Sequence, residues 1–65
     1  MNPVQNGALP PTRMLSLDEV QSRTTLSKTS LWRRVRAGTF PASVSLGGHR
    51  RAWREAEVTA WLDSL

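Results

Sequence analysis

Ser27-Lys28-Thr29-Ser30-Leu31-Trp32-Arg33-Arg34-Val35-Arg36-Ala37-Gly38, followed by Thr39-Phe40-Pro41 and then Ser43-Val44-Ser45-Leu46-Gly47-Gly48-His49-Arg50-Arg51-Ala52-Trp53, is the stretch that decides the fold. Ser27 is an N-cap candidate, and Gly38 is placed to take the left-handed conformation that ends a helix, so a helix is expected from Lys28 to Arg36. At about 100° per residue, Leu31 and Val35 share one face, Thr29, Arg33 and Arg36 lie opposite, and Ser30 and Trp32 lie on the flanks. Phe40 and Pro41 stop any continuation. The residues from Ser43 to Leu46 and from His49 to Trp53 then read as two strands around a Gly47-Gly48 turn. Val44, Leu46 and Trp53 suit packing on the helices, whereas His49, Arg50 and Arg51 sit at the tip and on the return strand.

On the amino-terminal side, Ser16-Leu17-Asp18-Glu19 has the spacing of a capping box, in which the cap hydroxyl and the third helical residue's carboxylate satisfy each other's amides. A short helix is expected from Leu17 to about Ser22 or Arg23, with Leu17 and Val20 on its inner side and its acids at the positive end of the dipole. On the carboxyl-terminal side, Val58, Trp61, Leu62 and Leu65 recur at i, i+3, i+4 and i+7 within Glu55 to Leu65, the spacing of an amphipathic helix that closes the core. The expected fold is mainly α with a small β-hairpin: a winged helix-turn-helix of three short helices and a two-stranded wing, occupying 14–65. Residues 1–13, with Pro3, Gly7, Pro10 and Pro11 and few large apolar side chains, are expected to form a disordered tail. The alternative for this tail is a minor-groove arm carrying Arg13.

The charge is sorted along the chain. Arg23, Lys28, Arg33, Arg34, Arg36, Arg50, Arg51 and Arg54 lie in a window without a carboxylate, while Asp18, Glu19, Glu55, Glu57 and Asp63 lie outside it. Sorting matters more than the net charge of +4, because a stretch of one sign makes a field that a polyanion can feel. Double-stranded DNA is the expected partner. A helix followed by a tight turn, a second helix and a hairpin places the second helix in a major groove and the wing on the backbone or in the adjacent minor groove.

The side chains suit that arrangement. Arg33, in the middle of the exposed face, has the fork to bind guanine O6 and N7, and Arg36, one turn on, reaches a base edge or a phosphate. Thr29 and Ser30, near the amino-terminal end, can donate to phosphate or touch a thymine methyl, and the free amides there add to an anion site. Lys28 and Arg34 read as phosphate ligands. Trp32 either donates its indole N–H to a phosphate or stacks on Arg36, or simply covers the edge of the core. Trp53 and Trp61 read as core. On the wing, Arg50 and Arg51 are better ligands than His49, a lone histidine without Cys or paired carboxylates nearby to make a metal site. Gly47 and Gly48 are turn formers first.

Other classes fit poorly. The chain has 65 residues and no cysteine, which excludes disulfides and thiolate zinc sites and leaves a small core worth roughly 3 to 5 kcal/mol net. There is no Ser/His/Asp set, no acid and base pair in a cleft and no phosphate-cradling loop followed by Lys and Ser or Thr, so an enzyme is not expected, nor a cofactor. No secretory signal and no apolar run of about 18 residues is present. A cytoplasmic, nucleoid-associated bacterial protein without membrane contact is the expectation. A rival reading is a protein-interaction module whose basic face docks on an acidic partner such as a response regulator or an integrase domain.

From Leu15 to Leu62, the pattern Leu-Ser-Leu-Asp-Glu-Val, Leu-Ser-Lys-Thr-Ser-Leu-Trp-Arg, Gly-Thr-Phe-Pro, Val-Ser-Leu-Gly-Gly-His-Arg and Trp-Arg-Glu-Ala-Glu-Val-Thr-Ala-Trp-Leu resembles the AlpA family of phage and prophage regulators. It is similar also to phage excisionases with a related winged-helix fold. The resemblance implies a MerR-like winged helix-turn-helix in which Lys28 to Arg36 is the recognition helix and Leu46 to Arg51 the wing. It further implies either a transcriptional regulator of mobile-element genes, contacting RNA polymerase, or a recombination directionality factor that bends attachment-site DNA for integrase. Two positions depart from the family pattern: Thr25 stands where glycine is usual, and Trp32 where tyrosine is usual. A module of this size buries about 600 to 1,000 Å² on DNA, which favours several copies self-associating cooperatively on adjacent sites.

Overall fold

Ser16 begins the first helix by the reciprocal exchange its spacing predicts. Its hydroxyl accepts from the Glu19 amide at 3.2 Å, and its own amide donates to Glu19 Oε1 at 2.8 Å. The computed structural model describes residues 13–65, so the amino-terminal tail and its alternative as a groove-binding arm fall outside the described residues except for Arg13. Helix α1 runs over Leu17–Thr24 and ends at Thr25, which takes left-handed backbone angles, φ 62° and ψ 13°. Helix α2 covers Lys28–Ala37, capped by the Ser27 hydroxyl on the Ser30 amide at its start and by left-handed Gly38 at its end.

Only three residues, Thr25 to Ser27, separate the two helices, and side chains brace the turn. Thr24 Oγ1 donates to the Val20 carbonyl at 2.8 Å and accepts from the Leu26 amide at 3.3 Å, while Gln21 Nε2 donates to the Leu26 carbonyl. These contacts hold the helix-turn-helix angle without a glycine.

Three strands follow the expected hairpin, with one addition. Strand β1 is Met14–Leu15, β2 is Val44–Gly47 and β3 is Arg50–Arg54, in the antiparallel order β1-β3-β2. The wing is thus a hairpin whose return strand is also paired on its other edge, Met14 with Arg54 and Leu15 with Trp53. Pairing continues one step further, where the Glu55 amide donates to the Arg13 carbonyl at 2.9 Å. A third strand was not expected because two residues carry no alternation to read. Its effect is to make β3 central, so that Ala52 and Trp53 are both buried.

Helix α3, Glu55–Asp63, starts directly from β3 and lays Val58 into the core. Leu15, Val20, Leu31, Phe40, Trp53 and Val58 form that core, with Leu17, Leu26, Trp32, Val35, Trp61 and Leu62 packed around it. Leu31 and Val35 therefore turn inward and the arginine face of α2 turns out. Two apolar expectations are corrected. Leu65 is 83% exposed, since α3 stops at Asp63 before its last apolar position completes a turn. Leu46, expected against the helices, is 50% exposed because the strand register slips beside it.

The loop from α2 to β2 fixes how the wing stands relative to the helices. Phe40 is buried and meets the Trp61 ring edge-on, centroids 4.8 Å apart. The carbonyls on either side of it accept the indole N–H groups of the two other elements: Trp61 donates to Thr39 at 2.7 Å and Trp53 to Pro41 at 2.9 Å. The buried Trp53 indole and the half-buried Trp61 indole, which rims the core rather than filling it, are thereby both satisfied, and α3 and β3 are tied to one short segment. This is the physical content of the Gly-Thr-Phe-Pro motif.

Candidate nucleic-acid interface

The basic residues divide into those held by partners within the fold and those that face outward together. Arg23 belongs to the first group. Its guanidinium donates to Glu55 Oε2 at 2.7 Å, and Arg13 lies 3.8 Å from the same oxygen, so one carboxylate of α3 gathers the end of α1 and the start of β1. Arg34 turns the other way, its guanidinium carbon 5.9 Å above the Trp61 ring. That geometry is a cation–π contact and points Arg34 toward α3. Ser30, half-buried on the same flank as Arg34, has its amide occupied by the Ser27 cap.

Lys28, Thr29, Trp32, Arg33 and Arg36 border one shallow depression of about 360 Å³ along the outer side of α2. A second groove, about 580 Å³, is lined by Lys28 and Trp32 of α2, by Leu46, His49, Arg50 and Arg51 of the wing, and by Met14 to Leu17 and Glu19 from β1 and the start of α1. Lys28 and Trp32 line both. The outer face of α2 and the wing therefore share one continuous, mainly cationic surface, on which Lys28 and Trp32 border both depressions.

Trp32 is anchored by its packing on Trp53, with centroids 5.4 Å apart and planes tilted 48°. The core-edge reading of this residue and the ligand reading are compatible, since one edge of the ring is buried and the other lines the surface. Unlike Trp53 and Trp61, Trp32 makes no indole hydrogen bond to any described residue. Its N–H is available to an acceptor outside the fold.

The wing residues differ among themselves. Arg51 Nε donates to Ser43 Oγ, and its Nη2 approaches the Ser43 carbonyl at 3.5 Å, which holds the guanidinium along the base of the hairpin. The side chains of Arg50 and His49 form no hydrogen bond or ion pair with the described residues, and both residues are exposed. Gly47 and Gly48 adopt φ 104° and 57°, and the space a side chain would fill at either position is empty. The tip is consequently thin.

Glu19, at the far end of the groove, is the one carboxylate among its lining residues. The Ser16 amide and hydroxyl, followed by the charges of Arg13 and Arg23, hold its carboxyl below the usual carboxylate range. It is committed to the helix cap and stays ionised. Sequence reasoning missed Glu19 as a lining residue because it was already assigned to the helix cap, and it counted Leu46 in the wing while expecting its side chain against the helices. Among the described residues there is no cluster of His, Asp or Glu able to hold a metal ion, and no helix is long and apolar enough to cross a membrane.

Comparison with known proteins gives the surface a context. A family model described as Prophage CP4-57 regulatory protein (AlpA) matches residues 13–65. An uncharacterized protein, ORF88 of Enterobacteria phage P4, is 44% identical over 50 residues, a match that covers 77% of this chain. The same match covers 57% of the phage protein, so the chain spans little more than half of that relative's length. No solved structure matches the chain.

Proposed function

The chain belongs to the AlpA family of phage regulatory proteins, and on that premise we propose that it is a sequence-specific double-stranded DNA-binding protein of a phage or mobile element. Helix α2 enters the major groove, with Arg33 reading guanine and Thr29 and Arg36 on neighbouring base edges or phosphates. Lys28, Arg50 and the Trp32 indole N–H hold the sugar–phosphate strand that passes between α2 and the wing. His49 and Arg51 complete the wing contact. Arg34 and Ser30 contribute indirectly, by fixing α2 against α3 and by closing its first turn.

The observation that carries this reading is the shared lining of the two grooves by Lys28 and Trp32. A cationic helix face alone is a common solvated surface, whereas two cationic elements meeting around an available indole donor match the path of a DNA strand. Two biological roles use the same bound geometry. A promoter regulator occupies one or two sites and contacts RNA polymerase; a recombination directionality factor lines up cooperatively on attachment-site DNA and works with integrase.

The test is duplex binding by fluorescence anisotropy across a salt series. Binding to DNA selected from a randomised pool should weaken with salt at a slope of about 0.9 per phosphate neutralised. Arg33→Ala should relax preference at one position, with a loss of about 1 to 3 kcal/mol for the preferred base. Duplex affinity indifferent to both salt and Arg33→Ala defeats the surface assignment. Absence of duplex binding at low salt, with capture of an acidic protein domain instead, returns the interaction-module reading.

A further inference from the structure

Leu46 is an apolar side chain where the fold offers a reason for a polar one. It sits on the hairpin that carries His49, Arg50 and Arg51, is 50% exposed, and lines the groove facing Lys28 and Trp32. Its placement follows from the backbone. Pairing passes from Ser45 opposite Arg51 to Gly47 opposite Arg50, so Leu46 is the extra residue of a bulge on β2. Bulges break the regular alternation and re-aim a side chain, and here the one re-aimed leaves the core for the cationic side.

The tip beyond it has no side chain for two residues, Gly47 and Gly48, and nothing crowds either backbone. A hairpin this thin is suited to a minor groove about 6 Å wide. The walls of that groove are deoxyribose edges, which are apolar, and proteins that enter it frequently insert a leucine or similar wedge at a base step and kink the duplex.

Resting on the DNA-binding reading above, we infer that Leu46 is the apolar wedge of the wing: it packs on the deoxyribose edge of the minor groove and bends the duplex, while Arg50 and Lys28 supply attraction without bending. The bend is thus assigned to one residue of the groove, and substitutions compared at saturation can separate it from affinity.

The experiment is end-to-end energy transfer on a short duplex labelled at both ends and carrying the sequence selected from a randomised pool, at saturating protein. Wild type should shorten the end-to-end distance by an amount corresponding to a bend of roughly 20° or more. Leu46→Ala and Leu46→Ser, which lose that contact, should bind more weakly but leave the duplex close to straight once saturated. Leu46→Met should keep the bend. Arg50→Ala should bind more weakly yet bend fully once saturated. Because Leu46 is half outside the core, circular dichroism melts should report all three Leu46 variants as folded. A wild-type bend retained in Leu46→Ala overturns the inference, as does a saturated wild-type complex with a straight duplex. Equally adverse is a wild-type dimer in DNA-free solution that Leu46→Ala dissociates, since Leu46 would then face a second copy. Failure of the wild type to bind duplex at all is a different result, because it removes the DNA-binding reading itself.

Discussion

Replacing Thr25 with glycine should make this protein more stable. Thr25 is the only described non-glycine residue with positive φ, 62°, and it is β-branched, the side-chain type least suited to that region. Left-handed backbone costs an L-residue roughly 1 to 2 kcal/mol. Glycine removes that strain but widens the unfolded ensemble, which costs about 0.4 to 1 kcal/mol. The Thr25 amide's bond to the Gln21 carbonyl at 2.7 Å is a backbone contact and survives the change. What is lost is the exposed hydroxyl's bond to the adjacent Thr24 carbonyl, which competes with water and adds little. Between the midpoints of those ranges the balance is a gain of about 0.8 kcal/mol, and in a domain this small a kcal/mol moves the midpoint by about 4 to 8 °C. Thermal melts by far-ultraviolet circular dichroism should therefore place Thr25→Gly several °C above wild type. Thr25→Asn should fall between them, because asparagine tolerates this conformation better than threonine does. A glycine variant that melts at or below the wild-type temperature refutes the reasoning, and would mean that the threonine side chain stabilises the turn by more than its backbone strains it.

Phe40→Ala should cost about 3 to 5 kcal/mol, comparable to the whole net stability of so small a core, so amide chemical-shift dispersion should collapse at room temperature. Glu19 has a lowered folded-state pKa, so its contribution is present above its unfolded value and is lost as pH falls through the folded one. Urea midpoints should decline as pH drops below about 4.5, and Glu19→Gln, which keeps an acceptor for the Ser16 amide, should flatten that decline. The same substitution removes the carboxylate from the groove and should tighten duplex binding at low salt. Arg50→Ala should weaken all duplex sequences alike and reduce the salt slope by about 1, as read by anisotropy.

Features set by neighbours in the chain were legible in the sequence. Ser16 with Glu19, Ser27 and Gly38 act within a turn of themselves, and each performs the capping that its spacing implies. The inward turn of Leu31 and Val35 follows from periodicity alone. What escaped depends on distant partners. Whether Leu46 points in or out is decided by a register slip against β3, and alternation counted from Val44 gives the wrong side. The Trp61 ring of α3 beneath the Arg34 guanidinium is a contact that the periodicity of α2 alone does not show. Arg23 looked like part of one positive window until Glu55, far along the chain, reached it at 2.7 Å. Strand β1 exists only because the edge of β3 was there to receive it.

The bracket of Thr39, Phe40 and Pro41 lines neither groove bordered by Lys28 and Trp32, yet it determines where the wing stands relative to α2. On the DNA-binding proposal, alignment and vocabulary are separately encoded: one short segment sets the angle between two probes, and other positions choose what each probe recognises. Residues 29, 33 and 36 can be exchanged for those of a relative without disturbing the angle, and such grafts should transfer a target preference intact. Changes at Phe40 should leave the vocabulary in place and spoil its delivery, so that every target suffers together.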